Sequence, residues 1–122
     1  MLIKLKANGK ILGVISNMDP RIHQLLTESK MKNFFDFVLC SYDARVAKPD
    51  QEIFKKALTE LFKPAQPTEC CHVGDSHFED FVGATSSGWE AVYLTKGKFI
   101  SSLEPDTHRS IEHLESHLLR KK

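Results

Sequence analysis

The sequence predicts an α/β domain in which a parallel sheet is covered by helices on both faces. Short apolar runs that suit buried strands alternate along the chain with segments of helical periodicity. Strands separated by helices of this length are joined by crossover connections, and such connections build parallel sheets. The longest apolar runs are only a few residues long, so we expect no transmembrane helix.

Four strands are expected, because each is a short apolar run bounded by polar or turn-forming residues. After the fourth run, the segment 95–98 is expected to open a loop. Ligands of such sheets bind beyond the carboxyl ends of the strands, so the residues that follow each run are candidates for chemistry. The predicted strands cover residues 11–16 (ILGVIS), 35–41 (FDFVLCS), 69–74 (ECCHVG) and 89–94 (WEAVYL).

Helices are expected around these strands, each with a start or stop signal. Gly9 follows the first helix and Gly88 the fourth, as C-terminal glycines do. Pro20 in a first turn and Asp50 as a cap begin the second and third helices. The last helix is amphipathic. The predicted helices cover residues 1–8, 20–31, 51–62, a short stretch within 75–87, and 105–119.

Charge and cysteine content narrow the classes of function. Seventeen Lys and Arg residues against sixteen Asp and Glu residues give a net charge of +1, which provides no electrostatic case for binding nucleic acid or an anionic membrane. The first ten residues have scattered lysines and no apolar core, unlike a signal peptide. Cys40, Cys70 and Cys71 form no C-x-x-C pair. We therefore expect buried free thiols in an intracellular, cytoplasmic protein.

Polar residues of a consistent kind follow three of the predicted strands. Ser16 and Asn17 follow the first strand, Lys48 lies in the loop after the second, and Asp75 and Asp80 follow the third. A hydroxyl with neighbouring backbone N–H groups can hold phosphate oxygens, and an ammonium group can neutralise a phosphoryl group. Two carboxylates on a turn after a strand can hold Mg²⁺ with water. Together these residues predict a site for Mg²⁺ and phosphate.

Each of these residues also has an ordinary structural alternative. The serine and asparagine are typical of a turn or a helix cap, and a lysine in a loop is usually a solvated surface residue. The two aspartates can be a helix cap and an exposed helix residue. What favours a site is their order at the ends of successive strands.

The histidines provide weaker evidence for a functional site. His72 lies within an apolar run, which is more typical of a hydrogen-bonded core histidine than of a base. His77 is expected to be exposed to solvent. His113 and His117 lie four residues apart on the last predicted helix, as metal ligands on one helix face do. A solvated polar face is the more common reason for that spacing.

Taken in order, the polar residues resemble the motifs of the haloacid dehalogenase-like hydrolases. Ile15-Ser16-Asn17 resembles the second motif of the family, and Lys48-Pro49 resembles the third. The pattern G-D-x-x-x-x-D that starts at Gly74 resembles the fourth. The resemblance covers residues 9–97. The stretches most similar to one subgroup of the family are GVISNMD, FFDFVLCS, KPDQEIFKKAL and HVGDS.

The resemblance implies a three-layer, Rossmann-like fold and Mg²⁺-dependent hydrolysis of a phosphomonoester through an aspartyl-phosphate. It implies that Ser16 hydrogen-bonds a phosphoryl oxygen, with Asn17 beside it in the phosphate-binding segment. Lys48 is the implied catalytic residue, which stabilises the nucleophile and the phosphoaspartyl intermediate. Asp75 and Asp80 are implied to position Mg²⁺. The implied substrate of a full-length form is a phosphorylated small molecule.

The first motif of the family, D-x-D at the end of an earlier strand, is missing from this sequence. Its first Asp is the nucleophile and its second is the general acid and base. About ten residues precede the first predicted strand, none of them Asp, and no D-x-D pair occurs elsewhere. The helical cap that the family inserts after the first motif is missing too. We therefore expect residues 1–122 to form a single partial domain without phosphatase activity, in which 1–10 is the remnant of a preceding helix.

The family's first strand is central in its sheet, so its absence has a structural consequence. The neighbouring strands either pair directly or keep unpaired edges, which promote association. A second hypothesis is therefore a non-catalytic interaction module, whose exposed sheet edge binds another copy or a partner strand. A weaker third hypothesis is the sensing of phosphate or Mg²⁺ by the remaining half of the site.

Overall fold

The computed structural model describes residues 1–61 and 64–120. The chain divides into two compact units, Met1–Pro64 and Ala65–Lys122. The described strands form two sheets, one in each unit. Phe62, which the sequence assigns to the helix after Asp50, lies outside the described residues. Over the described ranges, none of the helices has the length and apolar character needed to cross a membrane.

The first unit has two parallel strands with helices before, between and after them. The register pairs Gly13 with Phe37 and Ser16 with Cys40. A 3-10 turn over Lys32–Phe34 precedes the second strand. The strands are β1 (Gly13–Ser16) and β2 (Phe37–Cys40), and the helices are α1 (Leu2–Ala7), α2 (Arg21–Glu28), α3 (Ser41–Ala44) and α4 (Gln51–Thr59).

The predicted cap of α4 is confirmed, because the Asp50 side chain accepts a hydrogen bond from the backbone N–H of Glu52 at 2.9 Å. The apolar face of α4 supplies the core of the unit, with Ile53, Phe54 and Ala57 buried. The one-turn helix α3 was not predicted, since four residues are too few to show helical periodicity.

The second unit has a four-stranded sheet in the order β3-β4-β5-β6. Only its first pair of strands is parallel. The strands are β3 (Cys71–Gly74), β4 (Glu90–Thr95), β5 (Lys98–Ser101) and β6 (Arg109–Ser110). The helical segments are a 3-10 turn (Pro67–Glu69), a π-helical segment (His77–Val82), α5 (Gly83–Ser86), a second 3-10 turn (Ile111–His113) and α6 (Leu114–Arg120).

The antiparallel hairpin of β4 and β5 corrects the loop predicted at 95–98. Lys96 and Gly97 have φ angles of 48° and 76°, as the two-residue turn of a hairpin requires, and Thr95 pairs with Lys98. A lysine rarely adopts a positive φ, so the turn signal in the sequence was weak.

The last helix starts later than predicted. It begins at Leu114, because Arg109–Ser110 pairs with β5 and the N–H of Ile111 donates to the carbonyl of Gly97 at 2.9 Å. This helix closes the core of the second unit. The buried members of that core are Val92, Phe99 and Leu114, with Cys71, Val73, Leu94 and Leu118 packed against them.

His117 faces this unit's interior rather than sharing an exposed helix face with His113. Its Nε2 lies 2.7 Å from Oε2 of Glu90, and the hydroxyl of Ser101 donates to the same oxygen at 2.6 Å. The His113 side chain is 57% exposed and lies in the 3-10 turn before α6. The two histidines therefore belong to different environments.

The described strands form two sheets. The alternative in which β1 and β3 pair directly in one sheet is therefore wrong for the described residues. In its own unit, β1 pairs with β2 along one edge, and β3 pairs with β4 along one edge. Over the described ranges, the second edge of each of these strands has no ladder partner.

The three cysteines are free, as predicted, but their burial differs. Cys40 is fully buried, whereas Cys70 and Cys71 are half-buried. Burial raises the pKa of the Cys40 thiol above its usual value.

Candidate phosphate and metal site

The residues of the first unit that the sequence predicts to bind phosphate lie where β1 ends and before α4 begins. Ser16 is the last residue of β1, and Asn17 follows it directly. The side-chain amide of Asn17 donates to the carbonyl of Lys48 at 3.0 Å, and its oxygen accepts from the N–H of Lys48 at 2.8 Å. The structure therefore brings Asn17 and Lys48 together through a double hydrogen bond.

These two hydrogen bonds give Asn17 a role that the sequence did not suggest. Its Nδ2 and Oδ1 atoms both bond the backbone of Lys48, so Asn17 positions the Lys48 loop. Ser16 is half-buried, and among the described residues its hydroxyl has no hydrogen-bond partner. That hydroxyl is thus available to a phosphate oxygen.

The residues of the second unit that the sequence predicts to bind metal follow β3. Asp75 is the first residue after the strand and is exposed. Within the described part of the chain its carboxylate makes no hydrogen bond or ion pair. Asp80 lies in the π-helical segment and is only 6% exposed, so the alternative of an exposed helix residue is wrong.

The Asp80 carboxylate is held by two neighbours. Its Oδ1 lies 2.9 Å from Nε2 of His72, and its Oδ2 accepts from the N–H of Ser76 at 3.1 Å. His72 is thereby confirmed as a hydrogen-bonded core histidine. The bond to Ser76 fixes the turn that carries Asp75.

Gly74 allows this carboxylate to come close to the strand end. A Cβ atom at position 74 would overlap the carboxylate of Asp80. The glycine of the G-D-x-x-x-x-D pattern is therefore required by close approach. The N–H of Phe81 donates to the carbonyl of Ser76, five residues earlier, and such π-type turns are frequent at functional sites.

These residues fit a hard divalent cation. Mg²⁺ is usually bound through one or two carboxylates, with water completing its shell. Asp75 has both oxygens available to a cation, whereas Asp80 already accepts a hydrogen bond at its Oδ2 and contacts His72 at its Oδ1. Of the two predicted metal ligands, Asp75 is thus the more accessible, and Asp80 is the one held by neighbouring groups.

The comparisons with known proteins agree with these motifs. The model of the haloacid dehalogenase-like hydrolase family matches residues 1–88. The chain is 39% identical over 92 residues to the rhythmically expressed gene 2 protein of Drosophila melanogaster, covering 75% of this chain and 35% of that protein. It is 38% identical over 90 residues to haloacid dehalogenase-like hydrolase domain-containing protein 3 of Danio rerio, covering 74% of this chain and 36% of that protein. This is the subgroup predicted from the sequence.

A solved structure supports the same fold. The crystal structure of a HAD phosphatase from Thermococcus onnurineus matches with a TM-score of 0.81 and 27% identity, covering 96% of this chain and 54% of that one. The predicted α/β fold with an incomplete core is thereby confirmed. The chain spans about a third to a half of the length of these relatives.

Proposed function

This chain belongs to the haloacid dehalogenase-like hydrolases, and on that premise we propose that it carries the phosphate-binding and metal-binding residues of a Mg²⁺-dependent phosphomonoester hydrolase. The double hydrogen bond between Asn17 and Lys48 is the observation that carries this proposal. The bridge fixes the backbone of Lys48, a half-buried residue, beside the end of β1. It is what a lysine needs when its ammonium group must meet a phosphoryl group at a fixed place.

The proposed roles follow from the contacts within each unit. Ser16 donates its hydroxyl to a phosphoryl oxygen, and Lys48 neutralises the charge of the phosphoryl group. Asp75 would hold Mg²⁺, with Asp80 fixing the turn through Ser76. Phosphate binding is thus the proposed contribution of the first unit, and Mg²⁺ binding that of the second.

The proposal includes that this chain by itself does not hydrolyse phosphomonoesters. The family's reaction passes through an aspartyl-phosphate, and this sequence has no D-x-D pair to supply the attacking carboxylate. Residues that bind phosphate and metal stabilise such a reaction without being able to start it.

The test is an aryl phosphate assay with excess Mg²⁺, in which the chain is compared with Lys48→Ala. We expect no hydrolysis above the Lys48→Ala control. A higher rate that is lost in Asp43→Asn or Asp19→Asn would contradict the proposal, since another carboxylate would then act as the nucleophile.

Binding of Mg²⁺ provides a separate test. With one carboxylate available to the cation, we expect a dissociation constant for Mg²⁺ of about 1 mM or higher. This corresponds to a binding free energy no stronger than about −4 kcal/mol. Calorimetry that shows tighter binding, abolished by Asp75→Asn, would mean that further ligands complete the site. Binding that survives Asp75→Asn would contradict the role of Asp75.

The open edges of β1 and β3 favour a second candidate function, a non-catalytic interaction module. Sedimentation of the isolated chain separates the two candidates. Stable dimers of fixed stoichiometry would support the module, and a monomer at all concentrations would contradict it.

A further inference from the structure

A second group of metal-ligating side chains lies in the first unit, outside the residues assigned above. It consists of His23 in α2, Cys40 at the end of β2 and Asp43 in α3. One ring nitrogen, the sulfur and one carboxylate oxygen all lie within 4.8 Å of one another. Three separate elements thus bring a nitrogen, a sulfur and an oxygen donor to one place.

The Cys40 thiol donates a hydrogen bond to Asp43, whereas the His23 ring makes no direct hydrogen bond to that carboxylate. The Cys40 Sγ lies 3.2 Å from Asp43 Oδ2, and His23 Nε2 lies 3.9 Å from the same oxygen. The second distance is too long for a hydrogen bond. In a tetrahedral zinc site with bonds of about 2.0–2.3 Å, neighbouring ligand atoms are about 3.3–3.6 Å apart. The first distance is shorter than this range and the second is longer, so the side chains would have to shift slightly for all three atoms to bind one ion.

The His23 ring is otherwise unused. In the part of the chain that the structure describes, Asp43 is its only polar partner. The group is closed on one side and open on the other, because Cys40 is fully buried while the His23 and Asp43 side chains are 36% and 54% exposed. A water molecule on the exposed side of the group would supply a fourth ligand.

We propose that His23 Nε2, Cys40 Sγ and the Asp43 carboxylate form a zinc site with one water ligand. Binding replaces the thiol proton by the metal, and the proton leaves to the buffer. The thiolate and the carboxylate then balance the two charges of the ion. Nitrogen and sulfur ligands select zinc over Mg²⁺, so this site is chemically distinct from the carboxylate of Asp75.

The site is tested on the metal-free full chain with Zn²⁺ and Co²⁺ in excess Mg²⁺. We expect one equivalent of Zn²⁺ to bind in competition with a chromophoric chelator. We expect Co²⁺ to give the intense visible bands of a tetrahedral complex and a sulfur-to-cobalt charge-transfer band. His23→Gln and Asp43→Asn should each weaken Zn²⁺ binding at least tenfold. Loss of a second-sphere partner costs about 10–100-fold in metal affinity, and loss of a direct ligand should cost no less.

Matched controls are His108→Gln and Asp106→Asn, since both residues are exposed. They should leave Zn²⁺ binding unchanged. Circular dichroism checks that the His23 and Asp43 variants are folded, and the role of the buried Cys40 is read from the charge-transfer band of the unaltered chain. The proposal is overturned if less than one equivalent binds, if the band is absent, or if the His23 and Asp43 variants bind as tightly as the controls. None of these outcomes depends on phosphatase activity.

Discussion

At Asn17, a single side-chain amide connects the end of one strand to a loop 31 residues later in the chain. Both partners are backbone atoms of Lys48, and both hydrogen bonds are partly buried. Removing the amide would take away its hydrogen bonds to the N–H and the carbonyl of Lys48. Both groups have less access to water in the folded chain than in the unfolded chain. Buried groups left in this state are costly.

We predict that Asn17→Ala lowers the free energy of unfolding by about 1–3 kcal/mol, the cost of unpaired polar groups. It should also speed hydrogen exchange at the amide of Lys48. Urea unfolding and amide exchange measure the two effects. Asn33→Ala, at an exposed asparagine, is the control and should change neither quantity. Equal effects of the two variants would show that the bridge does not hold the loop.

Gly74 and Asp80 provide a second test at the scale of single residues. Gly74→Ala should destabilise the chain by about 1–3 kcal/mol, because the added methyl group overlaps the Asp80 carboxylate. In a chain that also carries Asp80→Ala, the space beside position 74 is free. Gly74→Ala should therefore lower the free energy of unfolding by less. A double-mutant cycle by urea unfolding measures the difference. Strictly additive effects would contradict the close-approach argument.

Among the structural elements, α1, β1 and β2 are joined at Asp36, just before β2. Lys6 of α1 donates to Oδ1 of Asp36 at 2.7 Å, and the N–H of Leu12 donates to Oδ2 at 2.8 Å. Burial raises the pKa of Asp36, but the bonds from Lys6 and Leu12 outweigh it and hold the pKa below its usual value of 3.8.

The lowered pKa of Asp36 predicts how the free energy of unfolding changes as the pH falls. A carboxyl whose pKa is lower in the folded state stabilises the fold above the unfolded value and loses that effect as the pH falls through the folded value. Asp36→Asn should therefore be less stable than the unaltered chain at neutral pH, by about 0.2–1 kcal/mol as for partly exposed pairs. The difference should disappear well below pH 3.8.

The measurement is urea unfolding of Asp36→Asn across this pH range, with Asp106→Asn as the exposed control. The control should show no pH-dependent difference from the unaltered chain. A deficit in Asp36→Asn that persists in acid would mean that shape or packing, rather than charge, is responsible.

At the scale of the whole molecule, the main feature is that β1 and β3 each have one edge without a ladder partner among the described residues. The strands β1 and β3 carry apolar residues along their length, as expected of strands with neighbours on both sides. An apolar strand edge without a partner promotes association. The D-x-D motif that ends the family's first strand does not occur in this sequence.

We predict that the isolated chain self-associates and that a peptide with the family's first strand, ending in D-x-D, raises its melting temperature and reduces aggregation. Each apolar side chain that the peptide buries contributes about 1.5–3 kcal/mol, against a total stability of about 5–15 kcal/mol for a domain. A scrambled peptide of the same composition is the control. A reversible, monomeric transition above about 60 °C without peptide would contradict the prediction.

The sequence by itself determined the features that depend on neighbouring residues. The Asp50 cap, the ends of helices at Gly9 and Gly88, and the four apolar strands are all local signals, and the structure confirms them. The family could be predicted too, because its motifs are short and follow strands directly. His72 was assigned to the core for the same reason, since its apolar neighbours in the sequence are its neighbours in the strand.

Only the tertiary structure decided the contacts between segments that are far apart in the chain. The bridge from Asn17 to Lys48, the group of His23, Cys40 and Asp43, and the pairing of β5 with β6 leave no periodic signal in the sequence. Side chains such as the amide of Asn17 can bond many partners, and which partner is reached depends on how the intervening residues fold. The sequence could therefore name the residues of the candidate site, while the fold determined which of them contact one another.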